Sequence, residues 1–202
     1  MESSAASNAA KKLRCFVAVD LAEEVRARLT ALQKDLAESG ADVRWVRVEG
    51  LHITLKFLGY LENARLEQVR QVVCRVASGY QPWQVRLRGL SAFPSLRRPR
   101  VLWVVVEDEG QLVSVATRLE DELVALGFDR EDRPFTPHIT LGRVNGLRRW
   151  GELEERLKGY LGTSWGESRV DRVIIYRSDL QRGGAVYTPL WTMPLEENRG
   201  KT

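Results

Sequence analysis

Leu51-His52-Ile53-Thr54-Leu55-Lys56-Phe57-Leu58-Gly59 and, 86 positions further on, His138-Ile139-Thr140-Leu141-Gly142-Arg143 share the core His-Ile-Thr-Leu. They contain the only two histidines of the 202 residues. Both stretches are apolar with β-branched residues, and each reads as a strand, over 51–58 and 137–144. Side chains alternate along a strand, so His52 and Thr54 face one way and Ile53 and Leu55 the other; His138 and Thr140 stand likewise against Ile139 and Leu141. Each strand therefore presents an imidazole and a hydroxyl, ~7 Å apart, to one space.

Outward from these strands, helix-like and strand-like segments alternate. Val25, Leu29, Leu32 and Leu36 recur at helical spacing, as do Leu66, Val69, Val73 and Val76. Leu112, Val115, Leu119, Leu123 and Leu126 do the same before Gly127, and Leu153, Leu157 and Leu161 mark a weaker fourth helix. Strands are expected at 13–19, 43–46, 83–90, 101–106, 170–176 and 185–192. In each half a helix leads into a His-Ile-Thr-Leu strand and another helix follows, which is an internal repeat. The expected fold is α+β: one bilobal domain over 13–195 with pseudo-twofold symmetry, mostly antiparallel sheets, helices outside, and a central groove carrying both motifs. Residues 1–12 and 196–202 read as tails, the first as a disordered one without the apolar segment of a signal peptide.

Two imidazoles and two hydroxyls in one groove suit a tetrahedral phosphate. Hydroxyls donate to its non-bridging oxygens while the imidazoles serve the attacking and leaving oxygens as acid and base. A metal site would need a third ligand, and neither motif brings an adjacent Asp, Glu or Cys. No Gly-x-Ser-x-Gly elbow or phosphate-binding Gly-rich loop is present. Acid-base catalysis without a metal or other cofactor remains.

Composition fits that reading. Net charge is +4, and of 31 basic residues only Lys11, Lys12, Lys34, Lys56, Lys158 and Lys201 are lysine. An arginine excess favours a nucleotide or nucleic-acid partner, although codon usage produces the same bias. Cys15 and Cys74 are too few and too far apart for a disulfide framework and are expected to pack as small hydrophobes in a reducing, cytoplasmic setting. No segment approaches the ~20 apolar residues needed to cross a bilayer.

The paired motifs resemble those of the two-histidine (2H) phosphoesterases, and their flanks resemble the bacterial and archaeal RNA 2′,3′-cyclic phosphodiesterases, long known as 2′-5′ RNA ligases. The resembling segments are 14–20, 51–59, 134–143, 176–180 and 184–187. The resemblance implies hydrolysis of a ribose 2′,3′-cyclic phosphate to a 2′-phosphomonoester, with 2′-5′ joining of RNA ends as the reverse. It implies His52 as proton donor, His138 as proton acceptor, and Thr54 and Thr140 as phosphate holders. The strands alone leave acid and base unassigned, and a module that binds a nucleotide or RNA end without turnover, or an exonuclease on another phosphodiester, stays open. A monomer is expected, because two lobes already supply both halves of a site.

Several outlying residues are weaker substrate-binding candidates. Lys56 shares the face of His52 and Thr54 by alternation, and is read either as a phosphate ligand or as a solvated lysine. Arg143 falls on the opposite face, which favours a structural ion pair over substrate contact. Phe135 would stack on a base or, in preference, pack in the core. Arg97, Arg98 and Arg100 form either a grip on the RNA backbone or a solvated turn. Trp45 and Tyr187 are assigned to lobe packing, with the groove edge as the alternative.

Overall fold

A computed structural model describes residues 12–182 and 184–196. The expected tails lie outside the described residues except for Lys12 and Glu196. Nine strands, β1 (Leu13–Val19), β2 (Val43–Trp45), β3 (Ile53–Leu61), β4 (Trp83–Phe93), β5 (Val101–Glu107), β6 (His138–Val144), β7 (Ser164–Val170), β8 (Arg172–Gln181) and β9 (Gly184–Pro194), form one sheet. Its order is β7-β4-β5-β6-β3-β1-β8-β9, with β2 added on β6. Every pairing is antiparallel. The two lobes are thus halves of a single sheet, and the motif strands β3 and β6 meet at its centre.

Four helices cover one face: α1 (Glu23–Ala37), α2 (Asn63–Ala77), α3 (Gln111–Ala125) and α4 (Trp150–Lys158). Each buries its apolar stripe, Val25, Leu29, Leu32 and Leu36 on α1 and Leu112, Val115, Leu119 and Leu123 on α3. Asp108 starts α3 by accepting hydrogen bonds from the amides of Gly110 and Leu112, and Gly127, at φ +80°, turns the chain away after it.

The units β1–α1–β3–α2 and β5–α3–β6–α4 repeat, but each exchanges a helix with the other. α1 packs on α4 and β7, and α3 packs on α2 and β3. Arg28 of α1 donates to the Trp165 carbonyl of β7, and Asp35 accepts from Arg156 and Tyr160.

Three expectations need correction. Leu161 is exposed beyond α4, because the helix stops at Gly159. Cys74 is exposed rather than packed, on the outer side of α2, whereas Cys15 is buried as expected. Strand β7 has no counterpart among the expected strands. Gly166 there has φ +106°, and the pairing with β4 shifts between Gly166 and Ser164, so the run Ser-Trp-Gly-Glu-Ser-Arg-Val lacks the clean alternation of a strand.

Candidate active site

Strands β3 and β6 pair through Ile53 and Ile139. Antiparallel continuation of that register sets His52 beside Thr140 and Thr54 beside His138, a square with the imidazoles on one diagonal and the hydroxyls on the other. Beneath it Ile53, Leu55, Ile139 and Leu141 are all buried. All four polar residues line one cleft of about 470 Å³.

The His138 imidazole is tied to the carbonyl two residues before it. The Nδ1–H of His138 donates to the Thr136 carbonyl at 2.7 Å. A carbonyl can only accept, so Nε2 is the free, lone-pair nitrogen of the neutral ring. The Gly50 backbone opposes the lowering of His52 as Thr136 does that of His138, and His52 Nε2 shares a hydrogen bond of 3.0 Å with the Thr54 hydroxyl.

The surroundings then separate the two. His52 stacks on Phe16 at 4.8 Å between ring centroids and meets Tyr187 edge to face at 5.1 Å. Arg26, almost enclosed, donates to the carbonyls of Val48 and Leu51, pinning the 3₁₀ turn Val48–Gly50 that delivers His52, and lies 3.6 Å from Asp20. Burial, and after it the Arg26 charge and the second histidine, push the His52 imidazole down to about 4. His138 rests edge-on against Phe93 and Trp103, and burial, then Arg143, lower it below the ordinary histidine value while the Thr136 carbonyl opposes them.

What lies beyond the threonines is set by two matching irregularities. Across from β3, Ala18 pairs with Thr54 and Val17 with Lys56, leaving Leu55 as an extra residue; across from β6, Trp103 pairs with Thr140 and Leu102 with Gly142, leaving Leu141 extra. Each bulge turns the following residues to the other face. Lys56 therefore leaves the cleft. Its side chain is 4% exposed and binds Glu120 at 3.0 Å, the Asp129 carbonyl at 3.0 Å and Glu131 at 3.4 Å, so it is a structural ion pair and neither a phosphate ligand nor a solvated lysine. Arg143 moves the opposite way, into the cleft lining. The bulge at Leu141 thereby overturns the structural ion pair that alternation favours for it.

Trp45 and Tyr187, assigned to lobe packing, both line the cleft. Phe135 does not; it packs half-buried on the core, as preferred. Arg97, Arg98 and Arg100 are in the turn between β4 and β5, outside the cleft lining. Arg14, Arg44 and Arg47 were not singled out by sequence, yet they join Arg143 around the cleft, whose lining holds no carboxylate. Arg44 stands directly opposite Arg143 in the β2–β6 register. Like charges so placed repel, and none of Arg44, Arg47 and Arg143 has a carboxylate partner among the described residues; an anion between them removes the cost. Only the pairing of β2 with β6 carries that information, and no local pattern foretells it.

Among the described residues no group of three or more His, Cys, Asp or Glu is placed to hold a metal ion, and no helix is long and apolar enough to cross a membrane.

The profile of the LigT like phosphoesterases matches the chain twice, over residues 19–103 and again over 105–187. A protein of Methanothermobacter thermautotrophicus named RNA 2′,3′-cyclic phosphodiesterase is 36% identical over 179 residues, 89% of this chain and 97% of its own length. One of the same name from Thermotoga maritima is 32% identical over 184 residues, 91% and 96% of the two chains. Among solved structures, TT0787 of Thermus thermophilus gives a TM-score of 0.75 at 33% identity, covering 94% of this chain and all 100% of that one. E. coli LigT complexed with 3′-AMP gives 0.72 at 25% identity, with 93% and 100% covered. With both halves matched and relatives above 30% identity along nearly the whole length, the chain belongs to the LigT like phosphoesterases, a two-histidine family.

Proposed function

We propose that the protein hydrolyses the 2′,3′-cyclic phosphate end of RNA to a 2′-phosphomonoester. The observation that carries this is a pair of imidazoles, each beside a threonine of the facing strand, in a cleft lined by four arginines and, among the described residues, by no carboxylate. His138 Nε2 takes a proton from water as the water oxygen bonds to phosphorus. The bond from phosphorus to O3′ breaks, and protonated His52 gives its Nε2 proton to O3′. The more strongly depressed imidazole is the stronger acid once protonated, and the less depressed one is the stronger base, which supports the roles implied by the family resemblance. An anionic phosphate between the rings raises both values and supplies the protonated state that His52 lacks at rest. Thr54 then turns its hydroxyl from His52 to a phosphate oxygen, opposite Thr140, and Arg143 and Arg44 neutralise the phosphate charge.

In this reading the enzyme works as a cytoplasmic monomer and needs no metal ion or other cofactor. With a 5′-hydroxyl in place of water as the attacking group, His138 takes the proton from that hydroxyl, the bond from phosphorus to O3′ breaks as before, and the cyclic end is joined through a 2′-5′ bond. The test is incubation in EDTA with two RNAs, one ending in a cyclic phosphate and one with ordinary 3′-5′ bonds only. The first is expected to yield a 2′-phosphate end, and His52→Ala or His138→Ala is expected to slow it about 10²–10⁴-fold with the circular dichroism spectrum unchanged. Trimming of the second RNA would replace this reading with an exonuclease. Binding without turnover would replace it with a recognition module, and a metal requirement would remove the two-histidine mechanism.

A further inference from the structure

Six large hydrophobic side chains are exposed among the described residues; two of them, Phe57 and Leu180, line the cleft, and a third, Tyr60, stands on the strand of Phe57 just beyond it. They are 55%, 68% and 63% exposed. Phe57 and Leu180 are part of the cleft lining, together with Arg14. Tyr60 stands directly opposite Arg14 in the β1–β3 register, and directly opposed residues share a face. Phe57 and Tyr60 are three apart in sequence and would point opposite ways on a regular strand. A second bulge in β3 prevents this: Phe16 pairs with Phe57 and Cys15 with Gly59, so Leu58 is extra, and Gly59 takes φ +70°, which only glycine adopts freely. Leu58 and Leu61 go down into the core while Phe57 and Tyr60 stay on the cleft face. The two rings are one strand repeat apart, ~7 Å. Beside them the Arg14 guanidinium is oriented by its bond to the Ser178 hydroxyl at 2.9 Å, and its remaining donors are available to a ligand in the cleft.

This end is chemically unlike the other. Past Thr140 the cleft is walled by Arg143, Arg44 and Arg47, while past Thr54 it is an apolar strip with one placed guanidinium. Aromatic rings in sequence beside a cation are the means by which unpaired nucleic acid is held, since every base has a face to stack and every nucleotide a phosphate. Apolar side chains exposed together mark a site of contact, and Phe57 and Leu180 line the same cleft as Thr54.

We propose that Phe57, Tyr60 and Arg14 form a track for the unpaired nucleotides immediately 5′ to the cyclic end, so that the preferred substrate is a single-stranded end of three or more nucleotides of any sequence. This rests on the cyclic-phosphate reading above. A terminus base-paired to its last nucleotide is a poor substrate, because its bases cannot leave their stack for the rings. The turn bearing Arg97, Arg98 and Arg100 plays no part in holding this segment. It adjoins Val101, which pairs with Arg143, and so belongs to the opposite end of the cleft.

The experiment compares kcat/KM for uridine 2′,3′-cyclic phosphate with that for a uridine trinucleotide carrying the same end, in wild type, Tyr60→Ala and Tyr60→Phe. Wild type is expected to prefer the trinucleotide at least tenfold. Tyr60→Ala should cut the trinucleotide-to-mononucleotide ratio about tenfold, the weight of one stacked base, and Tyr60→Phe should preserve it. Equal rates on both substrates in wild type, or a proportional loss on both in Tyr60→Ala, overturn the track while leaving the hydrolase intact. If neither substrate is turned over, the hydrolase reading fails instead. The track is then judged by the Kd of a 2′-phosphate-ended trinucleotide, and a value untouched by Tyr60→Ala overturns it. A wild-type dimer that Tyr60→Ala makes monomeric would assign the strip to a second copy of the chain and also overturn it.

Discussion

His52 and His138 share a motif and a cleft, and they differ in what touches them. Burial depresses both, and at His52 Arg26 adds to it, holding the turn before the ring through two carbonyls and setting a positive charge beside it, as Arg143 does for His138. With only two histidines in the chain, a proton NMR titration displays both imidazoles without assignment difficulty. Both are expected to titrate below 6.5, His52 near 4. Arg26→Gln keeps a donor for the carbonyls and removes the charge, so the imidazolium of His52 gains stability and its titration should move to higher pH, with His138 barely shifted. Unmoved signals would show that burial alone sets the value. The rate on a cyclic phosphate should pass through a maximum with pH, since one ring must be protonated and the other not, and the limb reporting His52 should move with Arg26→Gln. That the two histidines belong to one cleft was legible from their rarity and identical context. Their inequality was not, because it comes from Arg26, Phe16 and Phe93, which reach them only through the fold.

Strand alternation was the right rule for the first three residues of each motif and failed at the fourth, where Leu55 and Leu141 bulge. The failure explains an asymmetry visible in the sequence, Lys56 in one copy against Gly142 in the other. β2 crosses over Gly142, and a Cβ there would come within 2.7 Å of Val43 Cγ1 and 3.0 Å of Trp45. Position 56 instead carries a lysine that runs to Glu120 on α3. Lys56→Met is expected to strand Glu120, which is only 15% exposed, and to lower stability by roughly 3 kcal/mol in urea unfolding. Its kcat/KM on a cyclic phosphate should stay within about threefold of wild type. A phosphate ligand would show the reverse pattern. The helices and most strands were legible because their apolar periods are regular, whereas β7, interrupted at Gly166, and the two motif bulges depend on which strand lies alongside.

At the scale of the molecule, the site weakens the fold in acid. Both imidazoles are held below their unfolded value, so above pH 6.5 neither state carries the extra proton and nothing is lost. Between 6.5 and about 4 the unfolded chain takes up a proton that His52 in the fold refuses, and stability should fall by roughly 3 kcal/mol before levelling off. Urea midpoints at pH 7.5 and 4.5 measure this, and His52→Gln should flatten much of the difference; an equal slope in the variant would place the acid sensitivity elsewhere. The antiparallel α+β layout and the twofold were foreseen from the repeat, and the double profile match over 19–103 and 105–187 agrees. Which helix covers which half was hidden, because amphipathic faces do not say whose sheet they meet. Since α1 packs on β7 and α3 on β3, each repeat lends a helix to the other's half. Cutting the chain between the repeats would therefore part α1 and α3 from the strands they cover.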